Sequence, residues 1–390
     1  MYNVLTLNKI SPVGLKGLKP EKYNVADSID NPDAILLRSY KMHDMELPDS
    51  LLAVGRAGAG VNNIPVDKCS EKGIVVFNTP GGNANAVKEL VLAGLLLASR
   101  DIVGGIAWAG SLKGESGIAK TVEGGKGSYA GHGINGKKLG VIGLGAIGVL
   151  TANAANGLGM QVYGVDPFLS VNSALHLHPS VKVLESADEL SDCDFISVHI
   201  PLTGETKGMI NKDYIAKLKP GVVILNFSRG ELVDDADIKA ALADGSVGRY
   251  VTDFPNENTV GVEGIIAIPH LGASTDESEE NCAKMAAREI RHYLEYGNIV
   301  NSVNFPTCTM QYTGKTRFAV IHKNVPKVIA AILDTISGRG YNIDNMINKS
   351  RDDIAYTIID VEGNGDTDNI VQSIEAIGEV VRVRVIKPGK

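Results

Sequence analysis

Near the middle of the chain the run GKKLGVIGLGAIG sets Gly143, Gly145 and Gly148 in a G-x-G-x-x-G pattern. A strand over Leu139–Ile142 is expected before it, and a helix opening at Ala146 after it. In that setting the first glycine makes a tight turn, the second lets backbone approach a pyrophosphate, and the third lets helix and strand pack closely. Amides of Ala146, Ile147 and Gly148 at the helix start would then hold the phosphates. The next expected strand, QVYGV, ends at Asp166, eighteen residues after Gly148. A carboxylate there accepts hydrogen bonds from ribose hydroxyls and repels a 2′-phosphate, and Pro167 and Phe168 bring no cation to offset it. The pattern therefore implies NAD rather than NADP. The plainer reading is that these glycines serve only a tight turn.

Three later segments hold groups suited to dehydrogenation. VVILNFSRGELVD places Arg229 and Gly230 just after Asn226, VTDFPNE holds Asp253 and Glu257, and IPHLGAST holds His270 behind Pro269. Oxidising a 2-hydroxy acid removes the hydroxyl proton while hydride leaves C2. Histidine suits that proton transfer because its ordinary pKa lies near neutrality. A carboxylate on the other ring nitrogen fixes the tautomer and stabilises the imidazolium. An arginine binds the substrate carboxylate through its planar fork. Taken singly, Arg229 also reads as a surface ion pair and His270 as a helix-capping residue.

In order and rough spacing these segments, with GLGAIG, resemble the signatures of the D-2-hydroxyacid dehydrogenase family. The resemblance implies His270 as acid/base, Glu257 as its partner and Arg229 as the cation that orients the substrate. One departure stands out. The family reads Asp-x-Phe-x-x-Glu, whereas Asp253 and Glu257 are four apart here. Aligning on Phe254-Pro255 keeps Glu257 in its role and leaves Asp253 one position from the aspartate that contacts the nicotinamide amide in the family. His199, in SVHIPLTGET, is expected at a strand end lining the cofactor cleft, and the resemblance adds Pro201 and Thr206 there. His43, His132, His176, His178 and His292 read as surface residues.

The N-terminal segments ILLRSY, VGRAGAGVNNI and NTPGGNANAVKEL look like the family's substrate-domain motifs. Gly58–Asn62, with Ala59 and Gly60, would form a turn whose amides receive a carboxylate. Arg38, Ser39 and Asn83 would face the cleft, with Arg56 beside the turn. Two arginines suit a phosphorylated substrate, although interdomain ion pairs would use them equally well. At the other end, RFAVIHKNVPKVIAAILDTISGRGYNIDNM resembles the start of an ACT domain, a small-molecule sensor. That resemblance implies L-serine as effector, with His322, Asn324 and Asn342 in contact. The usual Asn-x-Pro-Gly turn reads Asn324-Val325-Pro326-Lys327, so its glycine is lost.

The elements that must position these groups are legible as alternating strands and helices. Strands are expected at Ala34–Leu37, Leu51–Val54, Ile74–Phe77, Leu139–Ile142, Gln161–Val165, Asp194–Val198, Val222–Asn226 and Ile265–Ile268. Helices are expected at Asn83–Ser99, Ala146–Leu158, Asp234–Ala243 and about Thr275 to Tyr296. That alternation predicts an α/β fold with parallel sheets covered on both faces. The expected architecture is two Rossmann-like doubly wound domains plus a C-terminal βαββαβ ferredoxin-like ACT domain. By resemblance the substrate domain is discontinuous (1–95 and 285–305) around an NAD-binding domain (96–284), with the tail at 315–390. In the family the two close over substrate and exclude water. Asn301–Gly314, with Pro306 and no helical period, reads as a linker. The eight glycines from Gly110 to Gly133 suggest an exposed, poorly ordered connector or partner-contacting loop. Its Lys113, Lys120 and Lys126 could reach a neighbouring subunit.

Composition is that of a globular protein: 44% apolar, 21% charged, net charge −7. That balance argues against nucleic-acid and anionic-membrane partners. The four cysteines form no CxxC pair or zinc pattern, so reduced thiols in a cytoplasmic setting and no metal are expected. MYNVLTLNKI lacks the pattern of a signal peptide, and the apolar run near Leu90–Ala98 is too short to span a bilayer. The resemblance to the dehydrogenase family and the ACT-like tail together imply NAD-dependent oxidation of 3-phosphoglycerate by a homo-oligomer, a dimer or tetramer. The alternatives are reduction of hydroxypyruvate or glyoxylate, or a non-catalytic NAD-sensing protein that binds partners.

Overall fold

The computed structural model describes residues 1–363 and 366–388. The chain forms two compact units, one from Met1–Asn83 with Asp276–Lys390, the other from Ala84–Thr275. In the first, strands β1 (Tyr2–Leu7), β2 (Tyr23–Ala26), β3 (Ala34–Leu37), β4 (Ala53–Arg56) and β5 (Val75–Phe77) make a parallel sheet in the order β2-β1-β3-β4-β5. β3 is AILL, buried throughout, as expected of a parallel strand covered on both faces.

The second unit holds β6 (Lys138–Ile142), β7 (Gln161–Val165), β8 (Lys182–Leu184), β9 (Phe195–Val198), β10 (Val222–Asn226), β11 (Val247–Thr252) and β12 (Ile265–Ala267). They pair in parallel in the order β12-β11-β10-β9-β6-β7-β8. The order reverses at β6, between β7 and β9. In such sheets ligands bind outside the strands' carboxyl ends at that point.

The crossings fall at 83/84 and 275/276, not near 96 and 285. Each crossing helix belongs whole to one unit. Val87, Val91, Leu95 and Ala98 of Ala84–Ser99 join the core of Leu139, Leu225 and Val251. Ala286, Ala287, Ile290 and Tyr293 of Asp276–Tyr296 pack with Val4, Leu36 and Phe77.

The tail follows the expected βαββαβ order. β13 (Thr316–Lys323), β14 (Asn342–Arg351), β15 (Ile354–Glu362) and β16 (Val380–Ile386) form an antiparallel sheet ordered β14-β15-β13-β16. Side chains alternate between its faces. Phe318, Val320, Ile359 and Val361 pack on helices Val328–Ser337 and Thr367–Glu375. Ala319, Ile321, Tyr356 and Ile358 share one core with Val4, Leu36 and Tyr293. The tail is therefore a layer of the first unit.

The expected linker is packed rather than loose. Phe305, Cys308 and Met310 are buried, and Asn304 donates to Ile74 O (2.9 Å) while accepting from Val76 N–H (2.9 Å). The glycine-rich segment is also more regular than its composition suggests, with helices Ile102–Ser111 and Ile118–Gly125, although neither buries a residue. Among the described residues no single helix is long and apolar enough to cross a membrane.

Candidate active site

β6 delivers the chain to Gly143, which sits at φ +94°, where a Cβ would lie 2.6 Å from His199 O. A Cβ on Gly148 would collide with Gly143 O. Only glycine fits either place. Gly145 caps helix Ala146–Gly157 without a side-chain bond, and the first N–H groups of a helix have no partner within it. Asp166 follows β7 directly. Its Oδ2 accepts from Leu144 N–H (2.8 Å) and its Oδ1 from Phe168 N–H (2.8 Å). The carboxylate is thus fixed beside the glycine turn with lone pairs to spare. Free amides and a fixed anionic acceptor fit the pyrophosphate and ribose of NAD.

His199 forms the floor of this turn. Its N–H donates to Ile142 O (2.7 Å), its Nε2 meets Ser197 Oγ (2.8 Å), and its buried Nδ1 has no partner among the described residues. Burial pushes the imidazole down to about 4, so it is neutral at physiological pH. Thr206 Oγ1 donates to Pro201 O (2.7 Å) and closes the exposed loop that follows.

The groups expected to move the proton lie just past the carboxyl ends of β10, β11 and β12. Asn226, fully buried, donates to Arg229 O (2.8 Å) and accepts from Ser228 N–H (3.1 Å). That turn sets Arg229 in solvent, its Nη1 donating to Ser228 O (2.6 Å). Asp253, 1% exposed, accepts from Gly272 N–H at Oδ2 (3.2 Å), while its buried Oδ1 has no partner among the described residues. Burial raises its pKa, and the nearby charges of His270 and Arg229 oppose the rise. The exposed His270 ring leans on Phe254, with centroids 4.7 Å apart. A cleft of ≈ 760 Å³ is lined by Lys207, Gly230, Asp253, Phe254, Pro269 and His270 among others.

Glu257 lies apart from this geometry. It is exposed, and among the described residues no hydrogen bond or ion pair joins it to His270. Its turn is pinned elsewhere, through Asn256 and Asn258, both donating to Asp235 Oδ2 (3.0 and 3.2 Å). Asn226 and Phe254, named in the sequence only as parts of their motifs, here hold the Arg229 turn and pack on the His270 ring.

In the first unit Arg38 and Arg56 end neighbouring strands, with Leu37 opposite Arg56. Arg38 Nη1 pairs with Glu279 Oε1 (2.5 Å). Arg56 Nε donates to Arg38 O (3.2 Å), and Asn63 Nδ2 donates to the same carbonyl (3.3 Å) and to Tyr40 O (2.7 Å). Gly58, at φ +154°, lies under the Arg56 guanidinium. Ser39 N–H donates to Asn8 Oδ1 (3.2 Å), and Asn78 Nδ2 to Ala59 O (2.6 Å). Gly60 and Asn83 are half-buried. Glu279, Asn63 and Asn78 were not foreseen. Only the tertiary fold brings Glu279 to Arg38.

Comparisons with known proteins bear on this arrangement. Residues 109–272 match the D-isomer specific 2-hydroxyacid dehydrogenase, NAD binding domain. A D-3-phosphoglycerate dehydrogenase of Escherichia coli (strain K12) is 31% identical over 87% of this chain and 82% of its own length. The chain belongs to this dehydrogenase family. It is an NAD-dependent D-2-hydroxyacid dehydrogenase. The D-3-phosphoglycerate dehydrogenase of Bacillus subtilis (strain 168) is 34% identical over 81% of this chain, which spans only 62% of that relative. Among solved structures, NAD+-bound 3-phosphoglycerate dehydrogenase of Entamoeba histolytica aligns with a TM-score of 0.59 at 25% identity. That alignment covers 78% of this chain and 98% of the other.

The three residues expected to hold an effector are not together within one tail. His322 is buried, with Nδ1 on Lys323 O (2.9 Å) and Nε2 on Thr357 Oγ1 (2.8 Å). Asn324 lies by the β14–β15 turn, its N–H donating to Asp353 O (2.8 Å) and its Nδ2 to Asp352 O (3.2 Å). Asn342 starts β14, opposite Glu362, at the far end of that ten-residue strand. The antiparallel register puts Asn342 roughly 30 Å from the other two. Lys327 takes the place of the lost glycine at φ +72° and keeps the turn's left-handed backbone.

Proposed function

We propose that this chain oxidises 3-phospho-D-glycerate to 3-phosphohydroxypyruvate, the committed step of L-serine synthesis. The convergence of Arg229, Asp253 and His270 at the carboxyl end of the nucleotide sheet carries the reading. The imidazole of His270 takes the C2 hydroxyl proton. Arg229 holds the substrate carboxylate and polarises the C2 oxygen through its fork. Glu257 is the carboxylate for the imidazolium, engaging it when substrate is bound, because catalytic hydrogen bonds are commonly long before that. NAD, when held here, would supply the acceptor for the hydride leaving C2. The glycine turn, Asp166 and the loop from Pro201 to Thr206 position it, with His199 beneath, and the unpaired Oδ1 of Asp253 offers an acceptor to its carboxamide. Arg38 and Arg56 take the phosphate, with Ser39, Ala59, Gly60 and Asn83 around the substrate.

The reading of a homo-oligomer is supported by helix Ile102–Ser111, which exposes Val103 (51%) and Ile106 (68%) and buries nothing. Four free thiols, all buried, fit a cytoplasmic setting. An L-serine site takes His322 and Asn324 from one tail and Asn342 from another. Titrating the full chain with L-serine should give heat that Asn342→Ala abolishes, and its absence removes the effector from the reading.

NADH formation measured side by side on 3-phosphoglycerate, D-glycerate and D-lactate tests the central reading. Preference for the phosphorylated acid supports it. Equal turnover, or preferred reduction of hydroxypyruvate or glyoxylate, favours the sister enzymes. NAD binding with no turnover favours a non-catalytic sensor.

A further inference from the structure

Arg56 and Arg38 are held in different ways. Arg56 folds back over the glycine turn, donating from Nε to the Arg38 carbonyl (3.2 Å). Arg38 extends to an ion pair with Glu279 (2.5 Å). Glu279 lies in the first turn of helix Asp276–Tyr296. Four residues on, Ala283 packs with Ile10 and Ala57, and Ala286, Ala287 and Ile290 continue into the core. Residues four apart share a helix face. A carboxylate therefore ends the helix's inward stripe, facing the strand ends that carry the two arginines. Both partners are accessible, at 36% and 41% exposure, so separating them strands no buried charge.

We propose that Glu279 is a built-in counter-anion for Arg38, displaced by the phosphate group of the substrate. The inference rests on Arg38 being the phosphate cation, as proposed above. A phosphate monoester carries nearly two negative charges and three acceptor oxygens, so it out-competes one carboxylate for the guanidinium. A hydroxy acid without an anion at that end does not engage Arg38 and is indifferent to Glu279. Glu279 thus weakens binding of the phosphorylated substrate by the strength of the pair. For an exposed pair that is roughly 1.5- to 5-fold.

Steady-state kinetics of Glu279→Gln, Arg38→Ala and the double variant test this, with 3-phosphoglycerate and D-glycerate as substrates and inorganic phosphate as inhibitor. Glu279→Gln should lower KM for 3-phosphoglycerate and Ki for phosphate by that factor, with no gain for D-glycerate. Arg38→Ala should raise KM for 3-phosphoglycerate about tenfold or more, and in the double variant the gain should vanish. Thermal midpoints check folding. If Arg38→Ala behaves so but Glu279→Gln leaves KM unchanged or raises it, the pair merely orients Arg38 and the counter-anion is overturned, while the phosphate reading stands. If Arg38→Ala affects both substrates equally, the phosphate reading itself falls.

Discussion

The nucleotide sheet and the tail sheet use their polar residues in opposite ways. In the parallel sheet every crossover returns the chain to the same end, so Asp166, Arg229, Asp253 and His270 all leave strands on one edge. Each is presented by backbone turns, and Arg229 and His270 stay exposed. The tail's antiparallel sheet is packed on both faces, and its polar groups go into holding it there. Arg317, fully buried, grips Asp360 (2.6 and 2.8 Å) and the carbonyls of Tyr296 (2.8 Å), Met310 (3.1 Å) and Gln311 (2.9 Å). Arg384 donates to the carbonyls of Tyr293 (3.2 Å) and Leu294 (3.1 Å), near the end of helix Asp276–Tyr296, where carbonyls have no partner within the helix and a cation is favoured. A charged residue marks chemistry only where the fold leaves one of its faces unfilled.

That contrast can be broken by mutation. His270→Ala should lower kcat about 10²–10⁴-fold with little change in stability or NAD affinity, measured by stopped assays, urea unfolding and cofactor titration. Near-normal turnover would remove His270 from the proton path. Asp360→Asn should do the reverse and lower stability by about 3–5 kcal/mol, because it leaves Arg317 charged and unpaired in the core. A urea midpoint within error of wild type would mean the pair is dispensable.

Two smaller effects sharpen the same point. Glu289, on helix Asp276–Tyr296, accepts from Asn301 Nδ2 (2.7 Å) at one oxygen, and the other is buried without a partner. Burial pushes its pKa up to about 7, above the ordinary 4.5. The folded state then keeps a proton that the unfolded state has lost, so stability falls as pH rises from about 4.5 through about 7. The fall is at most about 3 kcal/mol. Glu289→Gln should remove this decline and be the more stable protein at pH 8, as urea unfolding at pH 5 and 8 would show; parallel pH curves would exclude Glu289 as its source. Lys327→Gly should stabilise by about 1 kcal/mol, since lysine pays a left-handed penalty that glycine does not. An unchanged or lowered thermal midpoint would place that cost elsewhere.

The geometry of the glycine turn after β6 was legible before any coordinates, because it depends on neighbours in the chain: two glycines without room for a Cβ, a helix start and a strand-end aspartate. The β3, β7 and β10 boundaries, set by short apolar runs, were legible for the same reason. His322, Arg317 and Asp360 were not. Their types say polar, and only the packing of Ala319, Ile321, Tyr356 and Ile358 against the first unit's core turns them into interior fasteners. The linker looked loose because Pro306 and a missing helical period say nothing about Phe305 and Cys308 finding a core far away in the sequence. Glu279 and Arg38 are 241 residues apart, and Asp253 lost its hydration only when the Gly272 loop closed over it. Local steric rules are written in adjacent residues; burial and pairing across the chain are decided by which surfaces meet.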